Sequence, residues 1–261
     1  MSAHGPKRTP TGRRMTSGKA PADYRASDYP NFAVTCDIVI LTMRDREPWV
    51  LLVKRQSDPF AGMWALPGGF KHPDETLDEA ARRELLEETN VEAPSYLEQF
   101  RTYGDPGRDP RTNVVTVAYV AVVSEIDEIV GGSDAAEAAL HPVQDVLRGK
   151  LPLAFDHQQI VNDSYIYVSE QLEASDIATR FVPPTFTLSQ LRNVYESFWG
   201  SELDGANFRR NLLIDASPYV IPTGYVSDST PSGGRPPELF KATKAWTSAN
   251  PPIRRRRRGR G

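Results

Sequence analysis

Four glutamates stand around one arginine in the run Gly69-Phe-Lys-His-Pro-Asp-Glu75 and, eight residues on, Arg83-Glu84-Leu85-Leu86-Glu87-Glu88. Carboxylates at this density suit a hard divalent cation and the phosphate oxygens that share it. Their periodicity predicts a helix over 77–89. At about 100° per residue, Leu77, Ala80, Ala81 and Leu85 form its apolar stripe. Glu84 and Glu88 fall inside that stripe, Glu87 lies at its edge, and Glu79 and Arg82 lie opposite. Carboxylates aimed at a core must be paired or metal-bound, because burying a bare charge is prohibitive. Three acids exceed what Arg83 alone neutralises. Mg2+ or Mn2+ is therefore the expected cofactor.

A second cluster lies far along the chain. Asp204 is placed to cap a short helix running to Ile214. On it Phe208 and Leu212 share the inner face, Asn207 and Arg210 point away, and Arg209 and Asn211 flank them. Asparagine and arginine read adenine and guanine edges or grip phosphate. Arg235 follows a Gly-Gly pair at the tip of a ribbon, within reach of a groove or backbone. Asn207, Arg209, Arg210, Asn211 and Arg235 are thus candidate DNA contacts. A helical module for protein contacts stays open beside this reading, since 181–246 carries six basic and six acidic side chains.

Two folded regions must position these clusters. The chain has 261 residues, 39% of them hydrophobic, one cysteine (Cys36) and a net charge of −3. A lone cysteine excludes an internal disulfide, and no apolar run approaches the ~20 residues of a membrane span. No signal peptide is evident, so a cytoplasmic location without membrane contact is expected. The charge is uneven: residues 1–27 hold six basic side chains against one acid, and 247–261 hold six arginines and no acid. The middle is correspondingly acidic. The ends suit a polyanion and the middle does not, unless it holds cations. Residues 1–27 read as a disordered basic tail, and the polyarginine tail at 247–261 as a nonspecific electrostatic aid.

Between the tails, strands are expected over 32–43 and 49–53 with a polar hairpin between them, and at 63–66 before a Pro-Gly-Gly turn. The β-branched run 113–123 is a buried strand. A further short strand spans 135–142, a turn or helix 141–147, and a helix 156–174. Together these predict a mixed α/β domain over 28–180. Pro183-Pro184 then breaks the chain. Thr187 and Gln190 form a capping box for a helix to Gly200, in which Tyr195 and Trp199 are expected to pack inward. The helix after Asp204 and a hairpin of 219–227 and 238–242 complete helix, helix, β-ribbon. That outline, over 181–246, is a winged helix-turn-helix.

The stretch 69–91 resembles the Nudix box: Gly69, Glu75, Arg83, Glu84, Leu85, Glu87, Glu88 and Val91 match. Asn90 stands where the family has glycine. A left-handed residue is wanted at that helix end, and asparagine tolerates the conformation. The resemblance implies an α/β Nudix fold, a mixed sheet sandwiched by helices. It implies a metal held at a diphosphate by the catalytic acids Glu84, Glu87 and Glu88, and attack by an activated water, with Glu75 and Arg83 bracing the loop. Lys54 and Arg55 before Pro59-Phe60, Phe70, and the basic loop with Arg108 and Arg111 look like ADP-ribose-type Nudix domains, where such residues meet phosphate and ribose. For Arg108 and Arg111, surface loop charge is the alternative. In such hydrolases the general base often lies outside the box, and both Asp134 and Glu137 are candidates here. Asp156 is expected as a helix N-cap and His157 as structural.

The series Thr-Leu-Ser-Gln-Leu-Arg-Asn-Val-Tyr-Glu, then Asn-Phe-Arg-Arg-Asn-Leu-Leu, behind such a domain resembles the Nudix-related transcriptional regulators of NAD metabolism, the NrtR type, over 30–246. This implies a homodimer on palindromic operator DNA, repressing NAD biosynthesis genes and released by an ADP-ribose-like effector. Because the box acids are intact, a magnesium-dependent ADP-ribose pyrophosphatase stays open as the competing reading.

Overall fold

The structure, a computed structural model, describes residues 25–92, 94, 96–126, 135–213, 219–227, 236–243 and 253–255, with the side chains of 135 and 136 outside the description. Two units separate at Asn31 and Phe32. In the first, Ala26–Asp28 form a 3-10 turn. The turn closes on backbone bonds from Asp28 and Tyr29 to Arg25 and Ala26.

In the second unit, β1 (Ala33–Arg44) and β2 (Glu47–Arg55) form the expected hairpin, with Asp45 and Arg46 at its turn in positive φ. β3 (Trp64–Ala65) and β4 (Gly68–Phe70) follow, then α1 (Leu77–Thr89), β5 (Leu97–Tyr103), β6 (Val114–Val122), β7 (Ala135–Pro142), α2 (Val143–Leu147) and α3 (His157–Ala174). Among the described residues these strands make one seven-stranded sheet in the order β3-β2-β1-β6-β5, with β4 on β1 and β7 on β2. β1 and β6 are parallel and the other pairs antiparallel. β5 and β4 have no counterpart in the sequence expectation. β5 is polar on both faces (Leu-Glu-Gln-Phe-Arg-Thr-Tyr), as an edge strand can be. β4 is a Gly-Gly-Phe segment without strand propensity, held by its pairing to Thr35–Asp37.

The apolar run in β1 is continuous because both faces are covered. Cys36, Ile38 and Ile40 pack with Ala80, Ala81 and Leu85 of α1. Val39 and Leu41 pack on the other face with Ile160, Val161 and Val168 of α3. That second core does not stop at the end of α3. It runs through a 3-10 turn at Ile177–Phe181 into α4 (Leu188–Trp199), α5 (Gly205–Leu212) and a three-stranded sheet β8-β10-β9 of Phe186–Thr187, Glu238–Ala242 and Val220–Val226. α4 opens on the expected capping box, Thr187 with Gln190. Tyr195 and Trp199 are buried as expected. The two helices and the ribbon are the winged arrangement read from the sequence. No described helix is long and apolar enough to cross a membrane. Beyond the ribbon, Ile253 is buried and the Arg255 amide donates to the Glu173 carboxylate, so part of the basic tail packs on α3.

Candidate functional site

A cavity of about 660 Å³ opens between α1, the β4 strand and the loop before β6. Its acidic wall is α1. Thr76 caps that helix in a reciprocal box with Glu79, and Asn90 ends it in the left-handed conformation at φ 56°. Helical spacing then turns Glu84, Glu87 and Glu88 toward the cavity, while Leu85 goes to the core. Arg83 binds Glu75 bidentately at 3.0 and 2.7 Å. Its other nitrogen donates to Glu84 at 2.7 Å and Glu87 at 3.1 Å. Arg83 also donates to the Phe70 carbonyl at 3.1 Å, which ties β4 to α1. Glu88 accepts from the Gly68 amide at 2.9 Å.

The charges respond accordingly. The Arg83 hydrogen bonds pull the Glu75 carboxyl down to about 2. Burial pushes the Glu84 carboxyl up, and Arg83 only partly offsets it. The backbone is shaped around this wall. A Cβ on Gly69 would overlap the Glu84 carboxylate, and Gly68, at φ 156°, lies against Asp37.

Among the described residues, no three acids or histidines converge as a ready metal site. Arg83 engages one oxygen of each of two expected ligands, Oε1 of Glu84 and Oε2 of Glu87. The donors nevertheless fit a hard cation in type. They are carboxylate oxygens, and the innermost of them is desolvated and holds a proton more tightly than a free glutamate does.

The opposite wall is basic and aromatic. Arg111 is clamped by Asp109 at 2.7 and 3.0 Å and lies 5.4 Å from the Phe70 ring and 5.6 Å from Phe155. Arg55 donates to the Pro59 carbonyl at 2.8 Å and lies 4.8 Å over Phe155. Two guanidinium groups thus meet one ring, with Phe70 open at the rim. Such faces suit anionic and flat groups together. Lys54 lines the cavity too, but its ammonium sits 3.6 Å from Glu137 on the neighbouring strand. Glu137 itself is exposed and does not line the cavity. Asp134, the other candidate base, lies outside the described residues.

Arg108 has a different setting from Arg111. It lines the cavity, yet its side chain is 5% exposed. It donates to Asp156 at 2.9 and 2.7 Å and to Asp37 at 3.3 Å. Two desolvated carboxylates hold it in the floor. Asp156 is at the N-cap position of α3 but makes no side-chain cap bond there, because Arg108 takes its carboxylate. Asp37 and Phe155 are cavity residues that sequence reasoning missed. Asp37 is a charge interrupting an apolar run, a signal that was available. Phe155 reaches the cavity through a left-handed backbone at φ 54°, which its residue type does not announce.

His157, expected to be structural, lines the floor of the cavity. It is buried, and its Nδ1 accepts from the Leu66 amide at 2.8 Å, with Asp37 3.7 Å from Nε2. Burial pushes its pKa down, against the pull of Asp37. The unfolded chain takes up this proton near the ordinary value of about 6.5 while the folded chain resists it, so folding stability falls as pH drops through that value. The melting temperature is expected to decline between about pH 7 and pH 5.5, and to decline less in His157→Asn, which keeps an acceptor. An identical slope in both proteins contradicts this assignment.

In the winged region Asp204 caps α5 by accepting from the Asn207 amide at 2.8 Å. Phe208 and Leu212 are buried, Asn207, Arg209 and Arg210 are exposed, and Asn211 is half-buried. Arg210 donates to Asn207 at 2.6 Å, and Arg209 pairs with Glu238 of the ribbon at 2.9 Å. Arg235 and the ribbon tip lie outside the described residues.

Comparison with known proteins agrees with this two-part layout. Residues 32–163 match the model of the NUDIX domain, and residues 178–242 match that of the NrtR DNA-binding winged helix domain. The chain is 33% identical over 227 residues to the ADPR responsive transcriptional repressor NtrR of Acinetobacter baylyi, covering 84% of this chain and 86% of that one. Its fold is similar to that of Shewanella oneidensis NrtR complexed with a 27mer DNA, with a TM-score of 0.67 at 33% identity over 80% of this chain and 93% of the other. The NUDIX domain of the Shewanella protein complexed with ADP ribose gives a TM-score of 0.51 at 37% identity over 56% and 95%.

Proposed function

Since this chain belongs to the NrtR family of Nudix-related transcriptional regulators, we propose that it is a cytoplasmic repressor of NAD biosynthesis genes. It binds operator DNA as a homodimer and is released by ADP-ribose or a related nucleoside diphosphate. Residues 28–180 are the effector domain and 181–246 the DNA-binding domain. The observation that carries the reading is one cavity with an acidic and a basic wall, built on the same core as a winged helix pair.

In the effector domain, Arg55 and Arg111 bind and orient the diphosphate, with Lys54 at the edge of the same wall. Phe70 and Phe155 hold the flat parts of the ligand. Glu84, Glu87 and Glu88 would hold Mg2+ or Mn2+, which would neutralise charge at a bound diphosphate. Arg108 holds the cavity floor and positions the start of α3. In the DNA-binding domain, Asn207, Arg209, Arg210, Asn211 and Arg235 read or grip the DNA.

Release follows from linkage. ADP-ribose must bind more tightly to the free protein than to the operator complex, and by reciprocity operator DNA must weaken ADP-ribose binding by the same factor. Equal affinity in the two states contradicts the switch. The retained box acids favour one second reading, slow magnesium-dependent hydrolysis of ADP-ribose beside regulation, with Glu137 or Asp134 as general base.

A gel-shift on the region upstream of its own gene, with and without ADP-ribose and magnesium, tests both when run beside an assay for AMP. A shift reversed by ADP-ribose with little AMP formed is expected. No shift, with rapid AMP formation lost in Glu84→Gln, makes the protein a hydrolase.

A further inference from the structure

Glu238 places a carboxylate beside the exposed face of α5, where a polyanion is to dock. It faces Val226 in the ribbon, next to a register shift between Glu238 and Phe240. Such irregularities re-aim a side chain. Its Oε2 accepts from Arg209 at 2.9 Å, with side chains 52% and 39% exposed for the arginine and the acid. The Arg209 guanidinium also lies 5.3 Å over the ring of Phe240, which is buried in the ribbon core.

An exposed ion pair of this kind contributes little to folding. A carboxylate near phosphates also opposes DNA binding at long range. Stability therefore does not explain its position. Orientation does. An arginine loses considerable rotamer freedom when it engages a base or phosphate, and a guanidinium held in advance at one nitrogen loses less. The acid meanwhile penalises any complex held by phosphates alone, which is how an unfavourable group raises specificity.

We propose that Glu238 is a positioning residue for operator recognition. It holds Arg209 in its reading orientation and repels DNA that offers no matching contact. This rests on the DNA-binding reading above.

The test begins with duplexes selected from a random pool by the wild-type chain. Affinity for the selected duplex and for an unrelated duplex is then measured for wild type, Glu238→Gln, Arg209→Ala and the double variant across salt concentrations. Glu238→Gln is expected to strengthen binding to unrelated DNA. It is also expected to lower the selected-to-unrelated ratio about tenfold, the scale of one good base contact. The relaxed base position is expected to be the one that Arg209→Ala relaxes, with no further loss in the double variant. The melting temperature is expected to stay within about 2 °C of wild type, as for an exposed pair.

An unchanged ratio in Glu238→Gln, or relaxation at a different position, overturns the proposal while leaving DNA binding in place. Failure of the wild type to enrich any sequence overturns the DNA-binding reading, and this inference falls with it.

Discussion

Replacing Arg108 by alanine is expected to cost about 3–5 kcal/mol of stability, the scale for breaking a buried ion pair by removing one partner. The guanidinium is 5% exposed, and the carboxylates that flank it, Asp37 and Asp156, are 9% and 21% exposed. Without it, two desolvated acids face each other with no cation between them. Burial opposes the arginine's own charge, yet Asp156 and Asp37 together hold its proton more tightly than usual. For a chain of this size the loss corresponds to a fall in melting temperature on the order of 10 °C. Thermal unfolding followed by circular dichroism measures it.

Arg108→Lys is expected to fall between, because it keeps the charge and loses the fork that meets both Asp156 oxygens. Arg108→Met with Asp156→Asn is expected to recover part of the loss, since one of the stranded acids is then neutral. ADP-ribose binding is expected to weaken along the same series, because Asp156 and His157 start α3 at the cavity floor. A fall of less than about 2 °C in Arg108→Ala means the two acids are hydrated without it, and the floor is not held as described.

Phe198→Ala is expected to cost about 3–5 kcal/mol, as large-to-small changes of buried aromatics do. Phe198 is 2% exposed, stacks on Tyr165 at 5.0 Å and meets Phe181 at 5.3 Å. The Tyr165 hydroxyl donates to the Ser197 and Phe198 carbonyls at 3.1 Å, and the Trp199 indole donates to Ser169 at 3.0 Å. These contacts join α3 to α4, so the effector and winged regions share one apolar core. A single cooperative unfolding transition is expected for wild type and variant alike, with probes in both regions shifting together. Calorimetry beside a DNA-binding melt checks this. Two separable transitions, with only the later one moved by Phe198→Ala, mean that the regions fold independently. One shared core also bears on the switch. Little freedom is left for the winged region to swing on its own effector domain.

The residues nearest in sequence explain most of what was legible. α1 followed from periodicity, and the inward tilt of Glu84 followed from where it falls on the apolar stripe. The capping box at Thr187 and the left-handed Asn90 are local devices, decided within four residues, and each occupies the conformation its type suggests. The Nudix and NrtR resemblances rest on the same short-range spacing. β5 and β4 were not legible, because an edge strand without apolar alternation and a Gly-Gly-Phe segment become strands only when a partner presents its backbone.

Tertiary structure alone decided the cavity's second wall. Arg108 and Arg111 are both arginines of one loop, three residues apart. One is drawn into the floor by Asp37 and Asp156, which lie 71 and 48 residues away in the chain. The other stays at the rim, clamped by its neighbour Asp109. Sequence determines that the loop is basic, but only the fold determines which charge is neutralised from afar and which remains at the cavity rim. Phe155 and Glu238 teach the same lesson. Their roles come from a left-handed backbone in one case and a strand register in the other, and both arise from long-range packing that residue type does not encode.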